Sequence, residues 1–165
     1  QIVEYDPRWQ ELFAREKERV LQAVGSSMIT LYHLGSTAVP GLPAKPKIDM
    51  CGACTTEHPS KEEHQRVLDL GYTLSEHSEA LGHAAYNRDH VLPAYTIHWY
   101  LKGHPELQQM FWFREQLMKD PQLRQDYAKA KRDAVKNHPG DRWAYNKHKE
   151  PFIQQVMSRY PETDS

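Results

Sequence analysis

The chain has 165 residues, a formal net charge of −1 at neutral pH and 39% hydrophobic residues, with aromatic side chains spread along its length. These values exclude a disordered chain, which lacks enough apolar surface to bury, and they give no support for bulk attraction to nucleic acid or to a membrane surface. The apolar runs are too short to span a bilayer, no charged-then-apolar leader opens the chain, and two cysteines make no disulfide framework, so a single domain in a reducing cytoplasm is expected.

Residues 2–5 read as a short edge strand or an extended arm. Asp6-Pro7 then starts a helix, because Asp accepts free N–H groups and Pro is tolerated at the first helical position. Trp9, Leu12, Phe13, Val20 and Val24 recur at helical spacing, and Gly25 is the stop. Residues 29–34 form the first predicted strand. Residues 35–46 carry three prolines and two glycines, so they are a connector with at most one helical turn. Residues 46–51 alternate with period two, placing Ile48 and Met50 on one side and Lys47, Asp49 and Cys51 on the other.

A helix is expected from Ser60 to about Leu70, stopped by Gly71, then a short strand over 72–74. Residues 76–94 are polar and histidine-rich and read either as a hairpin or as a mobile loop. Residues 95–101 are aromatic and β-branched, the clearest strand in the chain, with Thr96, His98 and Tyr100 on one face. From residue 105 onward the pattern is helical. Pro105, Asp120-Pro121 and Asp141 open three helices, and Pro151 should kink or restart the last of them. The plan is an α/β core over about residues 1–102 with a helical cap over about 103–160.

The Gly35-Ser36 turn after the first strand has the chemistry to hold a phosphate. Gly lets the backbone approach closely, and Ser adds a hydroxyl and an N–H. Gly-Ser turns occur in every fold, so the turn gains weight only from Asp49 on the next strand, flanked by Lys45 and Lys47. A carboxylate beside a phosphate is what a bridging metal ion needs. The plain alternative is a solvated carboxylate at a strand end between surface lysines. Cys51-Gly52-Ala53-Cys54 is a competing motif, a thiol redox pair or half of a zinc site completed by His58 or His64. Its plain alternative is two small residues ending a strand. His33 and His98 are the histidines with strand positions near the turn and Asp49, and each also fits a hydrogen-bonded structural role.

The run His33-Leu34-Gly35-Ser36-Thr37-Ala38-Val39-Pro40-Gly41-Leu42, with Ala44-Lys45-Pro46 and Ile48-Asp49, resembles the signature of the GrpB family. That family is in turn similar to the polymerase-beta-like nucleotidyltransferases. Tyr5-Asp6-Pro7 with Trp9, Ile97-His98-Trp99, Phe113-Arg114, Tyr127 with Lys131, and Tyr145 with Lys149 extend the resemblance along nearly the whole chain.

The resemblance implies a nucleotidyltransferase-like mixed sheet with a helical C-terminal third. It implies phosphate binding by Gly35, Ser36, Thr37, Lys45, Arg114, Lys131 and Lys149. Asp49 would act as metal ligand and catalytic residue together with His98, and the cofactor would be a divalent ion, Mg²⁺ or Mn²⁺. The expected partner is a nucleotide or another phosphorylated small molecule, not a membrane, with nucleic acid not indicated. Two positions depart from the pattern: Cys51 stands where a second acid is expected, and His98 where a third is. Three alternatives follow: a softer metal, a carboxylate supplied by Glu76, Glu79 or Asp89, or a module that binds nucleotide without transferring it.

Overall fold

The computed structural model describes residues 1–161. Among them, five strands and six helices follow in the order α1 (Arg8–Val24), β1 (Met28–Leu34), β2 (Lys47–Cys54), α2 (Lys61–Asp69), β3 (Thr73–Leu74), α3 (Ser78–Leu81), β4 (Ala85–Arg88), β5 (Ala94–Leu101), α4 (Pro105–Lys119), α5 (Pro121–Asn137) and α6 (Arg142–Met157). The strands make one mixed sheet in the order β1-β2-β5-β4-β3. Its central pair, β2 and β5, is parallel and the other pairs are antiparallel. No described helix is long and apolar enough to cross a membrane.

Strand alternation decides what each face of the sheet meets. Ile48, Met50, Ile97 and Trp99 pack against Trp9, Val20 and Val24 of α1 and Val67 of α2. The opposite face presents Leu34, Cys51, Ala53 and Tyr100 to Leu107 of α4. A third cluster joins Val39 and Leu42 of the connector to Leu117 (α4), Leu123, Tyr127 and Ala128 (α5) and Val156 (α6). The Pro/Gly-rich connector is thereby gripped between sheet and helical layer, and that grip leaves a cleft beside it.

The helix starts follow the capping chemistry of the sequence. Ser60 and Glu63 form a reciprocal capping box, while Asp120 and Asp141 each accept N–H groups of the first turns of α5 and α6. At α1 the cap is displaced by one residue: Pro7 is the cap position, and Asp6 Oδ1 accepts from the Arg8 N–H at 2.9 Å. The N-terminal arm is extended and pairs with the connector, Val3 N–H to Ala44 O at 2.9 Å.

Three stretches differ from the sequence expectation. β2 continues to Cys54, so the Cys-x-x-Cys lies inside a central strand. Residues 76–94 resolve into α3 and β4, with β4 hydrogen-bonded to β5. α6 runs without a break through Pro151. The proline ring removes one helical N–H, but Phe152, Ile153 and Val156 on the next turn are held in the third cluster, and that packing carries the helix across.

On the α1 side of the sheet, Glu16 is buried and ties three elements together. It accepts the Tyr72 hydroxyl at 2.6 Å, Arg19 Nε at 2.7 Å and Arg88 Nη1 at 3.1 Å. Arg19 also donates to Leu70 O at 3.0 Å, closing the corner after α2.

Candidate functional site: a two-chambered cleft

The site begins where β1 ends. Gly35 has φ 82° and ψ −173°, a backbone conformation confined essentially to glycine. The chain there turns so tightly past β2 that a Cβ on Gly35 would stand 2.5 Å from Asp49 Oδ2. A single helical turn, Ser36–Ala38, follows. The Thr37 hydroxyl fixes it by donating to Lys47 O at 3.0 Å and standing 2.9 Å from His33 Nε2.

Because the single Thr37 proton goes to a carbonyl, the His33 proton must sit on Nε2. His33 Nδ1 is left without a partner, and burial holds the ring neutral by pulling its pKa down to about 4. Phe13 stacks on it, with centroids 4.8 Å apart. His33 is therefore a strut of the turn, and Arg114 Nη1 adds a bond to its carbonyl at 2.9 Å.

Register places Leu34 opposite Asp49 and Asp49 opposite Thr96. The Thr96 hydroxyl donates to Asp49 Oδ1 at 2.9 Å, and Lys47 Nζ is 3.8 Å from the same oxygen. Asp49, Ser36 and Lys149 lie at the junction of two cavities that together form one cleft between sheet and helices.

The first chamber, about 280 Å³, is cationic: Lys45, Lys47, Lys131, Arg142 and Lys149 surround Asp49, Ser36 and Thr37. Lys131 is 2% exposed, donates to Pro43 O at 2.8 Å and lies 5.0 Å from the Tyr127 ring. Lys45 and Lys149 both sit on the Tyr145 ring, at 3.7 and 4.8 Å. Burial, then repulsion from Lys149, pulls the Lys131 pKa down to about 7. Burial, with Lys45, Lys47 and Arg142 acting against the attraction of Asp49, pulls Lys149 to about 8. Burial, Arg142 and Lys47 lower Lys45.

The second chamber, about 490 Å³, is walled by Met110, Phe113, Leu117, Tyr127, Ile153 and Met157, with Glu106, Gln109 and Arg114 as its polar groups. Tyr127 is clamped by Phe152, stacked at 5.1 Å, and by Phe113, edge-on at 5.7 Å.

Of the residues singled out in the sequence, Ser36, Thr37, Lys45, Asp49, Lys131 and Lys149 line the cationic chamber, and Gly35 and Arg114 line the other. The Thr37 hydroxyl is already committed to the turn. His98 lines neither chamber; its Nδ1 is bonded to His83 Nε2 at 2.8 Å, and burial is the main cause pulling its pKa down to about 4. Arg142 and Asn146 escaped notice, as did the apolar chamber as a cavity, although Phe113, Arg114 and Tyr127 of its wall were named. Arg142, Tyr145, Asn146 and Lys149 share one helix face by spacing, but nothing in the sequence says which surface that face meets.

The donors of the cationic chamber do not by themselves make a divalent-ion site, and the second carboxylate of the cleft, Glu106, lines the apolar chamber with its Oε2 accepting from the Tyr100 hydroxyl. Asp49 is the lone carboxylate of the cationic chamber, among five cations. Cys51, at the expected second-acid position, is 2% exposed, and burial drives its thiol far above the usual range. Glu76, Glu79 and Asp89 line neither chamber, and no three His, Cys, Asp or Glu among the described residues are grouped to hold a metal. The thiol motif fares no better: Cys54 is buried with its pKa pushed up to about 12, far from the thiolate that redox chemistry needs, and among the described residues no third ligand is grouped with the two cysteines to hold zinc.

A family model described as GrpB protein matches residues 1–159. The chain belongs to the GrpB family. Among its relatives, a UPF0157 protein of Halalkalibacterium halodurans is 33% identical over 162 residues, covering 96% of this chain and 80% of that protein. The UPF0157 protein YqkA of Bacillus subtilis is 27% identical over 154 residues, 93% of this chain but only 45% of YqkA. Among solved structures, GrpB from Enterococcus faecalis superposes with a TM-score of 0.85 at 22% identity, covering 98% and 100% of the two chains. The Cid1 poly(U) polymerase superposes with a TM-score of 0.56 at 13% identity, covering 89% of this GrpB chain and 49% of that one. This GrpB fold is thus nucleotidyltransferase-like.

Proposed function

We propose that the cleft binds a nucleoside triphosphate, with the phosphates in the cationic chamber on Ser36 and the N–H groups around Gly35, and the nucleoside toward the apolar chamber. The observation that carries this is the division of one cleft into five cations on one side of Asp49 and a wall of Phe113, Tyr127, Met110 and Met157 on the other. Five cations facing one cavity match a polyanion, and charge-assisted hydrogen bonds to phosphate are strong. Flexible methionines and aromatic rings match a planar, largely apolar group.

A thermal-shift and calorimetric screen over the four ribonucleoside triphosphates tests it. A ligand at a hundred times its Kd stabilises the fold by about 2.7 kcal/mol. Lys149→Gln, which removes a cation common to both chambers, should weaken binding about 10- to 100-fold, the range for a hydrogen bond to a charged group. Absence of a shift with every triphosphate sinks the proposal.

Binding will also take up protons. Lys131 and Lys149 titrate near 7 and 8 in the free protein, and a bound polyanion favours their ammonium forms. The complex therefore holds more protons than its parts, and by linkage affinity falls as pH rises through that range, by up to about tenfold per pH unit for each proton taken up. The unliganded fold should show the opposite trend. Its unfolded chain binds the Lys131 proton up to the ordinary 10.5 while the folded chain releases it near 7, so stability rises with pH between those values. Calorimetry in buffers of different ionisation enthalpy measures the uptake, and buffer-independent heats would contradict it.

A second reading, nucleotidyl transfer to an acceptor, is favoured by Asp49 standing at the junction of the chambers, where the α-phosphate of a triphosphate spanning them would lie. Pyrophosphate release from a bound triphosphate across a panel of acceptors separates transfer from binding alone.

A further inference from the structure

The cationic chamber has five basic side chains and one carboxylate inside about 280 Å³, an excess of four positive charges once Lys131 and Lys149 are protonated. Among the described residues Lys47–Asp49, at 3.8 Å, is the one ion pair within it. Lys131 is satisfied only by a carbonyl and a ring, Lys45 and Lys149 by the Tyr145 ring. Unpaired cations facing one cavity repel one another, and Lys131, the buried one, is expensive to keep charged. What they lack is a dense anion.

A magnesium ion would add to the excess. It asks for near-octahedral oxygen ligands; in the cationic chamber it would find one carboxylate, while the other carboxylate of the cleft, Glu106, lines the apolar chamber with its Oε2 taken by the Tyr100 hydroxyl. Of Asp49, Oδ1 already takes the Thr96 hydroxyl and lies near Lys47, while Oδ2 abuts the Gly35 backbone. An uncomplexed triphosphate carries enough negative charge to match the chamber, whereas its magnesium complex has part of that charge cancelled before it arrives.

We propose that this site takes the triphosphate in its magnesium-free form, with Lys45, Lys47, Lys131, Arg142 and Lys149 supplying the neutralisation, so that magnesium competes with the protein for the ligand. The inference rests on the nucleotide reading above and adds to it the ionic form of the substrate.

The test is calorimetric titration of the full chain with ATP and with inorganic tripolyphosphate, each in EDTA and in excess magnesium chloride, with ionic strength matched by sodium chloride because screening alone weakens such contacts. The expected result is affinity for ATP at least about tenfold tighter in EDTA, a difference of about 1.4 kcal/mol. ATP binding that is unchanged or tightened by magnesium overturns the inference and leaves the nucleotide reading standing. Tripolyphosphate bound as tightly as ATP, both best in EDTA, supports the inference and overturns the nucleotide reading. No binding of either probe in either condition overturns both.

Asp49→Asn provides an independent arm. With a negative charge removed from a polyanion site, binding in EDTA should hold or tighten. Loss of binding, in a variant whose melting temperature shows it folded, overturns the inference. Lys149→Gln should lower both the affinity and the advantage of EDTA over magnesium; an unchanged advantage counts against it.

Discussion

Alanine at Gly35 will abolish triphosphate binding and cost about 3 kcal/mol of stability, the upper range for a side chain forced into glycine-only backbone space. The conformation, φ 82° and ψ −173°, is fixed by what flanks it: β1 pairs with β2 up to Leu34, and Thr37 is bonded to Lys47 O. The turn cannot relax without breaking one of these. The new Cβ would also stand 2.5 Å from Asp49 Oδ2, and Asp49 cannot swing aside without leaving the Thr96 hydroxyl at 2.9 Å. The strain therefore displaces the N–H groups proposed to hold phosphate. Chemical denaturation and calorimetry on the same variant check both halves. A Gly35→Ala protein that binds triphosphate normally would show that the turn is not the phosphate site.

Glu16→Ala will destabilise the protein by about 3 kcal/mol and leave triphosphate affinity unchanged. Glu16 is buried and gathers Arg19, Arg88 and Tyr72, so its removal strands two cations and a hydroxyl and opens a cavity. Removing one partner of a buried ion pair costs about 3–5 kcal/mol, and the lower end applies because the arginine side chains are 37% and 22% exposed and water takes part of the charge. The same group gives the acid limb of stability. Hydrogen bonds from Arg19 and Tyr72 and the charges of Arg19 and Arg88 outweigh desolvation and hold its carboxyl below the usual 4.5. A carboxyl depressed in the folded state contributes stability above its unfolded pKa and loses it as pH falls through the folded value. The wild-type protein should therefore lose stability below about pH 4.5 more steeply than the variant; parallel acid limbs would contradict the assignment. Glu16 lines neither chamber, so the two variants separate fold from site.

What was legible in the sequence were the features with short-range causes. The caps at Ser60, Asp120 and Asp141 and the alternation of residues 95–101 act within a few residues, and each helix or strand formed where those signals stand. The Cys-x-x-Cys stayed ambiguous because the same four residues describe a redox turn and the end of a strand. Strand pairing with β1 and β5 made it the latter, with both thiols buried. Residues 76–94 resisted reading because β4 is held by long-range bonds to β5, and its own residues carry little strand signal. At Pro151 α6 does not restart, since tertiary packing of the next turn carries the helix past the missing N–H.

The sequence by itself determined the Gly-Ser turn, its connector and Asp49, because a left-handed glycine, clustered prolines and a period-two strand are local necessities. Only the tertiary structure decided what surrounds them. The sheet order placed Thr96 beside Asp49, and packing of the connector on three C-terminal helices drew Lys131, Arg142 and Lys149 from far along the chain to one carboxylate. Each of those cations, taken alone in the sequence, looks like an ordinary solvated helix residue. Convergence on a shared chamber makes them a site, because mutual repulsion, with burial at Lys131, turns solvated charges into a demand for an anion.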